Sequence, residues 1–162
     1  MEKKRPEFRK PKAAQSYATP EELFAKLPNR AKSHGYLRGP QTDALRDYMK
    51  LKDKTDIACE LPTGTGKTTV GLLIAEWRRR QTGERVAYLT LTNQLAKQVL
   101  REAGNLGIDC ANLVGTKDTR DAGEVGRYTT GRAIGVTTFS NLFNVNPVVQ
   151  ASSVLVFDDA HG

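Results

Sequence analysis

Cysteine is scarce in this chain of 162 residues, where Cys59 and Cys110 are the only two. They lie far apart in sequence, so neither a zinc site nor a disulfide framework follows. Free thiols of a reducing compartment are the plain reading. Long hydrophobic runs are lacking as well. The longest, residues 70–75, falls far short of the roughly 20 apolar residues that cross a bilayer. The N-terminus is charged and holds no apolar segment of the kind a secretory signal needs. Together these absences predict a cytoplasmic protein with no membrane partner. Acidic residues are outnumbered, 18 against 25 lysines and arginines, for a net charge of +7. The excess is concentrated in residues 1–12, where Lys3, Lys4, Arg5, Arg9, Lys10 and Lys12 face only Glu2 and Glu7, a net of +4. The remainder carries just +3, so the folded part is only mildly basic. Such an arm is either a solvated tail or a sequence-indifferent holder of polyanions.

Along the chain, residues 1–18 are rich in Lys, Arg and Pro and read as a disordered basic arm. One domain is expected over 19–162. Thr19-Pro20-Glu21-Glu22 is a capping box with proline at the first helical position, so a short helix starts there and ends at Pro28. A polar loop leads to a helix over about 40–51. The pattern then alternates. Strands are expected at 56–61, 85–91, 110–114, 133–139 and 153–157. Helices are expected at 67–80, at 92 to about 107, and around 141–143. Residues 115–132 read as a polar loop. Strands alternating with helices argue for an α/β fold with a parallel sheet covered on both faces.

Two short segments carry chemistry. Residues 62–68 read Pro62-Thr63-Gly64-Thr65-Gly66-Lys67-Thr68, between an expected strand and an apolar-striped helix. A run of backbone N–H groups at a helix N-terminus can replace the water shell of a triphosphate. Gly64 and Gly66 let the backbone curl, Lys67 adds a positive charge among the outer phosphates, and the Thr68 hydroxyl is a hard ligand for Mg²⁺. The strict G-x-x-x-x-G-K-[ST] pattern fails at Leu61, its first position. The second segment is the end of the last strand, Asp158-Asp159-Ala160-His161. Carboxylates at the C-terminal edge of a parallel sheet face its ligand crevice. Asp158 is placed to hold Mg²⁺, and Asp159 to orient or deprotonate an attacking water.

These residues, in this order, resemble the first RecA-like domain of superfamily 2 helicases and translocases, the DEAD/DEAH-box group in the broad sense. The resemblance covers about residues 36–161. Leu37-Arg38-Gly39-Pro40-Gln41 resembles the adenine-reading motif, and residues 62–68 resemble motif I. The resemblance thus implies an ATP site of Arg38, Gln41, Pro62, Thr63, Gly64, Thr65, Gly66, Lys67, Thr68 and Thr69, with Lys67, Asp158 and Asp159 in catalysis. Residues 92–98 resemble motif Ia, and Thr137-Thr138 a later strand-contacting motif. They imply nucleic-acid contacts from Thr92, Gln94, Gln98, Thr137 and Thr138. Residues 158–161 resemble motif II, in which His161 would couple the nucleotide site to a second domain.

The implied activity is ATP hydrolysis driving unwinding or translocation on DNA or RNA. Two departures qualify it. Asp159 stands where the family usually has Glu. No third motif and no second RecA-like domain follow motif II, so the sheet is expected to lack a central strand, and the chain reads as the front part of a larger protein. The alternative is a non-catalytic nucleotide-binding module, completed in trans by another chain.

Overall fold

A computed structural model describes residues 15–143 and 152–158. Thr19 caps the first helix, α1 (Pro20–Lys26), its hydroxyl accepting from the Glu22 N–H at 3.1 Å. The polar loop that follows contains a single 3-10 turn, Lys32–His34, and leads to α2 (Gly39–Leu51). Then come α3 (Lys67–Thr82), β1 (Val86–Thr90), α4 (Asn93–Leu106), β2 (Cys110–Asn112), α5 (Ala122–Thr129), β3 (Ile134–Thr138), α6 (Phe139–Phe143) and β4 (Val154–Phe157). Gly83 ends α3 in a left-handed conformation that an L side chain would resist.

The strands form one sheet in the order β2-β3-β1-β4, and every pairing is parallel. Both β1 and β3 are buried along their whole length, which is why they read as nearly continuous apolar runs rather than alternating ones. Val86, Tyr88, Ile134 and Val136 share a core with Leu23, Leu45, Leu73 and Val99 from α1 to α4. On the other face, Ala87, Leu89, Ala111 and Leu113 form a smaller core with Tyr128 of α5. Helices therefore cover both faces, as the alternation predicts.

Two expectations are corrected. Residues 115–132 are not simply a loop, since they contain α5. Asp121 caps it, accepting from the N–H groups of Gly123 and Glu124 at 2.7 and 3.1 Å. Its helical signal is diluted by Gly123, Gly126 and Thr129, and Tyr128 packed against the sheet supplies what propensity does not. Residues 56–61 are not a strand. A strand exists only through its ladder, and this segment pairs with none among the described residues. Leu61 is nonetheless buried and Ile57 half-buried. On its outer edge β4 has no partner among the described residues, and on one face of it Leu155 and Phe157 are exposed, Phe157 stacking on Phe139. The sheet is thus open on the far side of β4 among the described residues, as expected of an incomplete sheet.

The basic arm is described only from residue 15. Its last residues are pinned to α3. The Trp77 indole donates to the Tyr17 carbonyl at 2.8 Å, Gln81 donates to the same carbonyl, and the Arg80 guanidinium lies over the Tyr17 ring. Arg80 and Arg79 also converge on Glu76, whose side chain is only 1% exposed. Arg79 makes two hydrogen bonds of 2.8 Å to that carboxylate and donates to the Gly131 carbonyl, tying α3 to the turn before β3. Removing one partner of a buried pair leaves the other charge uncompensated. Glu76→Ala is expected to lower unfolding free energy by about 3 kcal/mol in urea denaturation.

Candidate functional site

The phosphate loop is built by two left-handed glycines, Gly64 at φ 80° and Gly66 at φ 83°. Between them Thr65 closes the turn, its N–H and hydroxyl donating to the Pro62 carbonyl at 3.3 and 2.6 Å. Gly66 is the N-cap of α3, so Lys67 and Thr68 are its first helical residues and the helix dipole aims at the loop. Pro62, Thr63 and Gly64 are exposed, and space is open beside Gly64. Lys67 is half-buried and has no ion pair among the described residues. Its charge is thus free for an anionic ligand.

The start of α2 holds this loop from the side. Arg38 donates from Nη1 to the Gly64 carbonyl at 3.2 Å, and Gln41 from Nε2 to the Gly66 carbonyl at 3.3 Å. Gln41 also accepts the Arg38 N–H on Oε1 at 2.9 Å, capping α2. A carboxamide has two donor hydrogens and two acceptor lone pairs. Each end of the largely buried Gln41 therefore keeps one unused site after holding the loop. The approach is tight, since a Cβ at Gly66 would stand 2.4 Å from Gln41 Nε2.

The acidic edge lies across from the loop. The Asp158 N–H donates to the Leu89 carbonyl at 3.0 Å, continuing the β1–β4 ladder by one residue. Its carboxylate accepts from the Tyr88 phenol at 3.2 Å. Burial pushes the Tyr88 phenol well above its ordinary range, the Asp158 charge raises it further, and the Thr68 hydroxyl pulls weakly the other way. Thr68 and Asp158 thus act on the same phenol. Asp159 and His161 lie outside the described residues.

A family model for the DEAD/DEAH box helicase matches residues 38–162. The chain belongs to the DEAD/DEAH box helicase family. It is also 28% identical over 153 residues to the ATP-dependent RNA helicase SrmB of Haemophilus influenzae, covering 86% of this chain. That match spans only 34% of the relative, so the chain corresponds to about a third of it.

In this helicase-family chain, the residues expected to meet nucleic acid are not equally presented. Thr92, Gln94 and Gln98 are exposed, on α4 and its cap. Gln94 and Gln98, four residues apart, share one helix face. Thr92 is also the N-cap, accepting from the Leu95 N–H at 3.2 Å. By contrast, Thr137 and Thr138 are buried. The Thr137 hydroxyl donates to the Leu113 carbonyl at 3.0 Å and accepts from Asn141, while that of Thr138 is 2.9 Å from Ser140 Oγ. Their hydroxyls brace the edge from inside, and Ser140 is the exposed neighbour. Among the residues read with the loop, Thr69 is buried and donates to Glu102 Oε1 of α4 at 2.7 Å. The same oxygen lies 2.7 Å from His34 Nε2, so Glu102 ties the first turn of α3 to α4.

Tyr88, Gly71, Glu102 and His34 belong to none of the motifs legible in the sequence. Only a tyrosine inside an aliphatic strand and a glycine inside an apolar helix were visible signals of them.

The loop geometry gives a direct test. Gly66→Ala forces an L residue into the left-handed region and drives a methyl into Gln41. It is expected to weaken ATP binding by about 10-fold or more in equilibrium titration.

Among the described residues, no helix is long and apolar enough to cross a membrane.

Proposed function

We propose that this chain is the ATP-binding part of a nucleic-acid helicase or translocase that hydrolyses ATP with Mg²⁺. The observation that carries the proposal is the convergence of Gln41, the loop at Gly64 to Thr68, and Asp158 at one sheet edge. Gln41 has a donor and an acceptor to offer the adenine edge, while its other bonds hold the loop. Backbone N–H groups of the loop and Lys67 take the phosphates. Arg38 supports the loop from behind Gly64.

Magnesium fits the donors present. Thr68 and Asp158 are hard oxygen ligands on facing elements, and no cluster of three or more His, Cys, Asp or Glu side chains offers a metal cage among the described residues. An ion that keeps waters and bridges phosphates suits such a sparse set. When bound, it would neutralise charge on the phosphate oxygens during transfer. Asp159 is assigned to orient and deprotonate the attacking water, and His161 to couple the site to a second RecA-like domain.

That second domain, in cis or in trans, is proposed as the partner that closes on ATP. The greater length of the relative favours it. Nucleic acid is assigned to the α4 edge, through Thr92, Gln94 and Gln98. RNA is the first substrate to test, because the relative is described as an RNA helicase. Thr137 and Thr138 are assigned a supporting role beneath that surface.

Two experiments on the natural gene product test the reading. Asp159→Asn is expected to abolish ATP turnover while leaving ATP affinity within about twofold, since only the water-orienting group changes. Unchanged turnover would remove Asp159 from the mechanism. Backbone-directed binding predicts RNA affinity that falls steeply, by about 10-fold or more, as salt rises from about 50 to 200 mM. ATP turnover indifferent to both RNA and DNA would instead favour a phosphate-loop enzyme that does not act on nucleic acid.

A further inference from the structure

Tyr88 has no part in the reaction as proposed, yet it stands at the centre of the site. Its side chain is essentially inaccessible in the middle of β1. The phenol reaches the end of the neighbouring strand and donates to Asp158 Oδ2. Residue 158 is therefore held twice by β1, through its N–H on the Leu89 carbonyl and through its carboxylate on Tyr88. Opposite the phenol lies Gly71, in the second turn of α3. A Cβ there would meet the Tyr88 hydroxyl oxygen at 2.9 Å and Cε2 at 3.0 Å. Glycine inside a helix is unfavourable relative to alanine, by about 1 kcal/mol. Gly71 lies inside an uninterrupted helix and has no positive φ to require it, whereas the phenol needs the room.

We propose that Tyr88 is a positioning residue for the magnesium carboxylate, fixing one oxygen of Asp158 so that the other is presented to the site, with Gly71 making the space the phenol needs. The role rests on the ATP and Mg²⁺ reading above. A carboxylate at the end of an edge strand is otherwise free to rotate about its side-chain torsions. A hydrogen bond from a rigid, buried ring removes that freedom before the ligand arrives. Groups that orient a metal ligand in this way commonly change metal affinity by about 10-fold to 100-fold when removed.

The test compares ATP binding in Mg²⁺ with ATP binding in EDTA, by calorimetry on this chain, together with the melting temperature. Tyr88→Phe keeps the ring and removes the hydroxyl. It is expected to reduce the Mg²⁺-dependent gain in ATP affinity by about 10-fold, with the EDTA affinity and melting temperature unchanged. A wild-type Mg²⁺-dependent gain in Tyr88→Phe would overturn the proposal. So would an equal loss with and without Mg²⁺, which a merely structural role produces. Gly71→Ala crowds the hydroxyl from the helix side and is expected to reduce the same gain. In the double variant the loss should not exceed that of Tyr88→Phe alone, and additive losses would refute the shared route. If the wild-type chain binds no ATP, or gains nothing from Mg²⁺, it is the underlying functional reading that fails.

Discussion

A polyphosphate can leave water where a run of backbone N–H groups replaces its hydration shell, and on the proposed reading that demand shapes everything around residues 62–68. The backbone must curl tightly enough to need left-handed glycines at 64 and 66, and it must stay curled without ligand. Arg38 and Gln41 meet the second need by holding the Gly64 and Gly66 carbonyls. Those bonds bring α2 against the start of α3. α3 in turn lies across the sheet, anchored by Val70, Leu72, Leu73 and Trp77. A loop held in this way loses less conformational freedom on binding.

The same helix joins the two sides of the domain to which function is proposed. Thr69, directly after the phosphate loop, donates to Glu102 on α4, and α4 presents Gln94 and Gln98 to solvent. His34 closes on the same carboxylate from the loop before α2. The proposed nucleotide side and the proposed nucleic-acid side therefore meet through one half-buried carboxylate rather than through the sheet alone.

Much of this was legible in the residues. The phosphate loop announces itself through spacing, because the chemistry tolerates few alternatives at Gly64, Gly66, Lys67 and Thr68. Helices with caps, such as Thr19 before α1 and Thr92 before α4, were placed closely because a cap is local. What the residues could not show was long-range. Residues 56–61 have the apolar character of a strand, but strand formation depends on a partner that is elsewhere. The helix α5 was hidden because its glycines oppose helix formation and Tyr128 overrides them through a contact in the second core. The threonines at 137 and 138 read as presented hydroxyls, whereas burial and internal hydrogen bonds set them beneath the surface. Tyr88 looked like an ordinary strand residue until the β1–β4 register set it beside Asp158.

On the proposed reading, Gln41 and the phosphate loop form one adenine-nucleotide site. Calorimetric titration of the chain with ATP and with GTP, each with Mg²⁺, tests it most directly. Saturable binding of one ATP is expected, with GTP weaker by about 10-fold or more, because guanine presents the wrong donor and acceptor pattern to the Gln41 amide. Equal affinity for the two nucleotides, or no binding of either, would contradict it.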